Sequence, residues 1–277
     1  METYGVCIFL QTAVMKRTAL LLLTLSCFSC TDNASFARKE SAKDSMRLST
    51  IVSREIKDSS SWEYFLQHLP EKNAPVLDFK GKPVANQEKH FAVINYDVGT
   101  QDLQQCADAL MRLRAEYLFV RKRLDEISFH FVSGEAYSFN AYCKGNIPVA
   151  RGNGVRFVSV SPKAKDHSSL RKYLDIVYTY ASTISLSNEL KDADDFAIGT
   201  VVIKAGSPGH CFIITDEATT ASGEKLYKLV EGYTPAQSIY VLRNVDEPLL
   251  GCWHRLKKGP VTTASYEFTN YKLKKFE

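Results

Sequence analysis

After Leu190 the chain carries four short runs of strand character, at 200–204, 211–215, 225–230 and 238–242. They are rich in β-branched and aromatic residues and are separated by turns carrying Gly, Pro and Asp. Upstream lie two long amphipathic stretches. One spans 103–120, with Leu103, Cys106, Ala107, Leu110, Leu113, Tyr117 and Leu118 as its apolar positions. The other spans 170–190, with Leu170, Tyr173, Leu174, Val177, Ala181 and Ile184 on one side. Helices first and a run of antiparallel strands last predict an α+β domain. Further strands are expected at 91–96, 127–132, 137–142 and 155–160, and a short helix from Trp62 to Leu69, stopped by Pro70.

Residues 15–30 have a different character. Lys16 and Arg17 precede an apolar run from Ala19 to Leu25 that is too short to span a bilayer. Ser-Cys pairs follow at Cys27 and Cys30. This resembles a bacterial lipoprotein signal, in which the Cys after the cut becomes the lipidated N-terminus. Cys30 is the expected anchor and Cys27 the fallback, with Met1 to Val14 an upstream extension or a mis-called start. The resemblance implies an exported protein of the cell envelope (periplasm or outer membrane), held to a membrane through Cys30. Residues 1–30 are then the signal, the Ser-, Lys- and Glu-rich 31–60 a flexible tether, and 61–277 a single α+β domain.

The net charge of +4, from 35 Lys and Arg against 31 Asp and Glu, makes no case for nucleic acid. His68, His90, His130, His167 and His254 show no metal-ligand spacing, so no metal is expected. No glycine-rich phosphate motif occurs, so no nucleotide cofactor is expected either.

Two segments could carry chemistry. In Gly99-Thr-Gln-Asp102-Leu-Gln-Gln105-Cys106, Asp102 suits a helix N-cap, with Gln105 reaching back to it. That places Cys106 near the helix N-terminus, where free N–H groups and the dipole favour a thiolate. In 199–216, a strand ends in a Gly- and Pro-rich turn and His210 opens the next strand. A hairpin centred near 220 or 221 would set Glu231 directly across from His210, on the same face, to orient its imidazole. Gln237 is the reserve orienter. The backbone N–H of Cys106 and the side chain of Gln105 are candidate oxyanion donors. Arg114 is a candidate for binding a substrate carboxylate, and Trp253 for lining a cleft. Arg112 and Glu116, four residues apart, read as a solvated helix face.

Cys, then His, then an acid or amide is the order of papain-like hydrolases. The Gly199…Gly209-His210-x-x-Ile213 pattern resembles the second half of NlpC-type and CHAP-type cell-wall peptidases and amidases. The resemblance implies a papain-like helix-plus-sheet fold, with inserted strands and a helix filling an unusually long Cys106-to-His210 stretch. Thr200 departs from that pattern, which usually has Asp there. A longer resemblance, from about Trp62 onward, is to an uncharacterised family of bacterial lipoproteins (DUF4846-like). Its carrying residues are Asp102-Leu-Gln-Gln-Cys-Ala-Asp108, Arg112-Leu-Arg-Ala-Glu-Tyr-Leu118, Ser207-Pro-Gly-His210 and Tyr233-Thr-Pro-Ala-Gln237. This family implies no established activity. The expectation is therefore a lipid-anchored cysteine hydrolase-like protein acting on amide bonds of cell-wall peptides. The rival readings are a non-catalytic envelope binding module and an acyl or lipid hydrolase.

Seven Cys suggest at first a disulfide-rich secreted protein. Cys7 and Cys27 fall in or before the expected signal, and Cys30 is the anchor. Cys211, next to His210 in a strand, is expected to face the core.

Overall fold

The computed structural model describes residues 51–277. The expected signal, Cys30 and most of the expected tether lie outside the described residues. Residues 51–60, assigned to the tether by composition, belong to the fold. Strand β1 (Ile51–Ser53) pairs with a central strand, and the carbonyl of Glu55 accepts from Gln67 Nε2 at 2.8 Å. Polar side chains here answer buried partners, which a reading of composition does not register.

Helix α1 (Trp62–Gln67) starts where Ser61 Oγ accepts the Tyr64 N–H at 3.0 Å. Strands β2 (Glu71–Lys72) and β3 (His90–Ile94) follow, then helix α2 (Cys106–Val120). The hairpin β4 (Ser128–His130) and β5 (Ala136–Ser138) leads into the short helix α3 (Phe139–Cys143). The expected strand at 137–142 is thus mostly helix, because Ser138 Oγ caps it by accepting the Ala141 N–H. A second hairpin, β6 (Asn146–Arg151) and β7 (Gly154–Ser159), precedes α4 (His167–Tyr180) and α5 (Thr183–Glu189). The single helix expected at 170–190 is divided because Ser182 stops one helix and caps the next, accepting from the Ile184 N–H.

The remaining strands are β8 (Lys191–Asp192), β9 (Thr200–Lys204), β10 (His210–Thr220), β11 (Lys225–Glu231), β12 (Tyr240–Leu242), β13 (Trp253–His254), β14 (Val261–Thr262), β15 (Glu267–Phe268) and β16 (Lys272–Lys275). One antiparallel sheet runs β2-β3-β12-β11-β10-β9-β16-β8, with β1 on β10 and β13 on β11. The architecture is mixed α+β with mostly antiparallel strands.

Both faces of this sheet are covered. Val201, Ile203, Cys211, Ile213, Val230 and Val241 face a core shared with α2 and α4. Their alternates Val202, Phe212, Ile214, Leu229, Tyr240 and Leu242 face a second core closed by Val261 and Phe268. This is strict period-two alternation with no polar face. Each such Val, Ile, Leu or Phe contributes about 1.5–3 kcal/mol on burial. The paired cores fix the register of β10 and β11, and so fix which face every polar residue at their ends must take.

Candidate active site

Helix α2 begins at Cys106. Its N-cap is Gln105, not Asp102: the Gln105 N–H donates to Asp108 Oδ2 at 3.1 Å. Asp102 instead ties the neighbouring loop, its Oδ1 accepting from the Ala236 N–H at 2.7 Å and from Gln105 Nε2 at 3.1 Å. Cys106 is therefore the first helical residue, facing the unsatisfied amides of the first turn.

Gly232, next to Glu231, explains how the end of β11 comes so close to this helix start. A Cβ there would lie 2.6 Å from the Ala109 Cβ and 3.0 Å from the Gln105 carbonyl oxygen. Only a glycine allows that approach.

His210 and Glu231 lie on the sheet face away from α2. Ile213 pairs with Val230 and Ile214 with Leu229. Continuing that register sets Glu231 across from Phe212, so the directly opposed pair expected from the hairpin centre is corrected to a diagonal one. The cause is a hairpin centred on Ser222, with Thr219 opposite Lys225; the register shift between Ile214 and Asp216 takes back one position of that displacement. The slip is by two positions, so both side chains keep the same face. His210 Nε2 meets Glu231 Oε2 at 2.9 Å, and both residues are buried, at 3% and 0% exposed. Tyr240 donates its hydroxyl to Glu231 Oε1 and lies 3.2 Å from Ser265 Oγ. Tyr233, Tyr266 and Phe268 wall the imidazole, their ring centres 5.1–5.8 Å from it.

Glu231 holds Nε2, and the ring is also close enough to Cys106 to stabilise its thiolate by hydrogen bonding and charge. His210 is the first residue of β10, and its neighbour Gly209 lines the Cys106 cleft. The adjacent Cys211 points to the α2 side and hydrogen-bonds the same sulfur. That contact, then the His210 hydrogen bond and charge, outweigh burial and hold the Cys106 thiol down at about 5. For His210, burial opposes the charge, but Cys106 and Glu231 prevail and raise it to about 9. The favoured state is a thiolate beside an imidazolium. Burial outweighs nearby lysines at Cys143 and Cys252 and pushes both thiols up. All four described cysteines are free thiols.

Cys106 is half-buried and lines an open cleft of about 250 Å³ with Asp108, Tyr178, Thr183, Gly209 and Thr234. Of the other expected site residues only Gln105 lines this cleft. Gln237 bridges to Asp78 and lines a separate cavity, so Glu231 alone orients His210. The Gln105 amide is held in place, its Oε1 accepting from Thr234 Oγ1 at 3.2 Å and one Nε2–H donated to Asp102, which leaves its second N–H as an oxyanion candidate. Arg114 is buried among Trp62, Tyr117 and Phe276 and bonded to the carbonyl of Glu277, so it meets no substrate carboxylate. Trp253 pairs with Lys228 in the sheet, and is not part of the Cys106 cleft. Arg112 is 1% exposed rather than solvated, with Glu116 at 2.6 Å and Asp97 at 3.2 Å.

Tyr240, Ser265 and Cys211 were not anticipated as site residues. The period-two parity of β11 and β12 was the available signal for Tyr240; Ser265 had none. Among the described residues, no group of His, Cys, Asp or Glu is arranged to hold a metal, and no helix is long and apolar enough to cross a membrane.

No curated protein and no solved structure matches the chain. The family model described as Domain of unknown function (4846) matches residues 43–275, and the chain belongs to that family.

Proposed function

We propose that the domain is a papain-like cysteine hydrolase of amide bonds, exported and lipid-anchored through Cys30, with cell-wall peptides as the substrate class. One observation carries the reading: a helix-terminal Cys106 in contact with an imidazole held through Nε2 by the buried Glu231. The order Cys, His, acid is the one read in the sequence, and the NlpC- and CHAP-type likeness of 199–213 supports the same chemistry. The thiolate attacks the amide carbonyl. His210 gives its proton to the departing amine, leaving a thioester on Cys106. Neutral His210 then takes a proton from water, whose oxygen attacks the thioester and releases the acid and the thiolate. The Ala107 N–H, which hydrogen-bonds the Cys106 sulfur, belongs to the helix-end amides available to developing negative charge.

The test is alkylation by iodoacetamide near pH 7, mapped by peptide mass spectrometry. Cys106 is expected to react well ahead of Cys143 and Cys252, and to lose that lead in His210→Ala. A Cys106 that reacts no faster than those two sinks the hydrolase reading in favour of a binding module.

A further inference from the structure

The cleft beside Cys106 has an inner wall that the hydrolase chemistry does not use. Asp108 and Tyr178 line it, and they are only 7% and 6% exposed. Asp108 Oδ2 accepts the Gln105 N–H, which folds the carboxyl back toward the start of α2 and the sulfur. Its other oxygen, Oδ1, is buried with no hydrogen-bond partner, and so is the Tyr178 hydroxyl. Buried polar atoms are rarely left so, because each orphan costs about 1–3 kcal/mol.

The charge pattern narrows what could meet them. Asp102 also lines this cleft, and no Lys, Arg or His does. Arg112 and Arg171, the cations that act on the Tyr178 hydroxyl, are committed to Glu116 and Asp97. The positive end of α2 works against a cation here, and the two carboxyls offset it. Burial pushes the Asp108 carboxyl well above the usual range, and a cation bound beside it would draw it back toward its charged form. A primary ammonium has three donors. It would satisfy Asp108 Oδ1 and the Tyr178 oxygen and keep one donor for the cleft mouth.

We propose that Asp108 and Tyr178 form a subsite for a primary ammonium group on the substrate, next to the carbonyl attacked by Cys106. The substrate class becomes an amide whose acyl side carries a free amine close to the scissile bond. This rests on Cys106 as the nucleophile.

The test uses two thiol reagents of opposite charge, 2-aminoethyl and 2-sulfonatoethyl methanethiosulfonate. Each forms a mixed disulfide with a thiolate and releases methanesulfinate. The rate ratio at Cys106, divided by the ratio for free cysteine, reads the charge preference of the wall. The ratio is expected to favour the ammonium reagent by about tenfold or more, the worth of one charge-assisted hydrogen bond. It should fall toward the free-cysteine value in Asp108→Asn, whose side-chain oxygen still caps α2, and fall partway in Tyr178→Phe. A reactive Cys106 with no preference, or a preference unchanged in Asp108→Asn, overturns the subsite alone. A Cys106 inert to both reagents overturns the nucleophile and the subsite together.

Discussion

Glu231 holds the imidazole of His210 from the neighbouring strand, its Oε2 at 2.9 Å from Nε2, in a pocket closed to solvent. The contact crosses the sheet diagonally, and a hydroxyl from a third strand, Tyr240 on β12, grips the other carboxylate oxygen. Three adjacent strands therefore fix one ring. Glu231→Gln should lower the His210 titration from about 9 by about one unit or more, since the amide lacks the charge that stabilises imidazolium. Histidine NMR across pH measures this directly. Tyr240→Phe leaves the carboxylate in place and should cost about 1 kcal/mol of stability in urea unfolding.

Hydrolysis should be confined to a window set by the thiolate–imidazolium pair. Cys106 is held down at about 5, so its thiolate forms as pH rises through that value. His210 is raised to about 9, so its proton is lost as pH rises through that one. The rate should rise through the first, fall through the second, and form a bell between them. Alkylation needs only the thiolate, and should rise through the first without a matching fall. Identical profiles for the two reactions would contradict the assignment of His210 as proton donor.

Gly232→Ala tests how tightly the end of β11 presses on α2. The added methyl would meet the Ala109 side chain and the Gln105 carbonyl. A loss of about 1–3 kcal/mol is expected from overpacking. Alkylation of Cys106 should slow as well, because the same displacement separates the sulfur from His210. Urea unfolding and labelling rates on one preparation report both effects.

Arg112→Ala should cost about 3–5 kcal/mol by urea unfolding, the usual penalty for stranding a buried charge. The stranded group is Glu116, which also bonds His167 Nε2 at 2.9 Å. A loss below about 1 kcal/mol would mean that water enters and solvates the cluster.

The proposed lipid anchor has its own check. Cells fed an alkyne-bearing fatty acid should incorporate it into this chain, and Cys30→Ala should abolish incorporation. Loss of incorporation on Cys27→Ala instead would move the anchor to the fallback position.

How far the sequence discloses this site depends on the range of the contact. The face shared by His210 and Glu231 is legible because strand alternation survives a slip of two positions. The exact opposition is not, since neither a turn centred on Ser222 nor the register shift near Asp216 leaves a mark in composition. The helix start at Cys106 differs from the expected one because two carboxylates compete for the cap, and Asp102 is drawn to the Ala236 N–H, distant in sequence. Arg112 and Glu116 look like a solvated pair from spacing alone. Asp97 and His167, which complete their network, come from other segments. Arg114 fails as a substrate contact for the same reason, since Phe276 stacks on it from the far end of the chain.

His210 and Cys211 are consecutive, and each touches the Cys106 sulfur from its own side of the sheet. A slip of β10 by a single residue would exchange base and thiol, leaving an intact sheet with an inverted reaction centre. Gly209 guards against that slip: a Cβ there would collide with Thr183 Oγ1 and the carbonyl oxygens of Gly206 and Lys204. The two ends of β10 therefore differ in their tolerance of length change. The 220–224 turn can lengthen and leave the chemistry alone, whereas the 205–209 turn has no room for a side chain at Gly209, beside the centre.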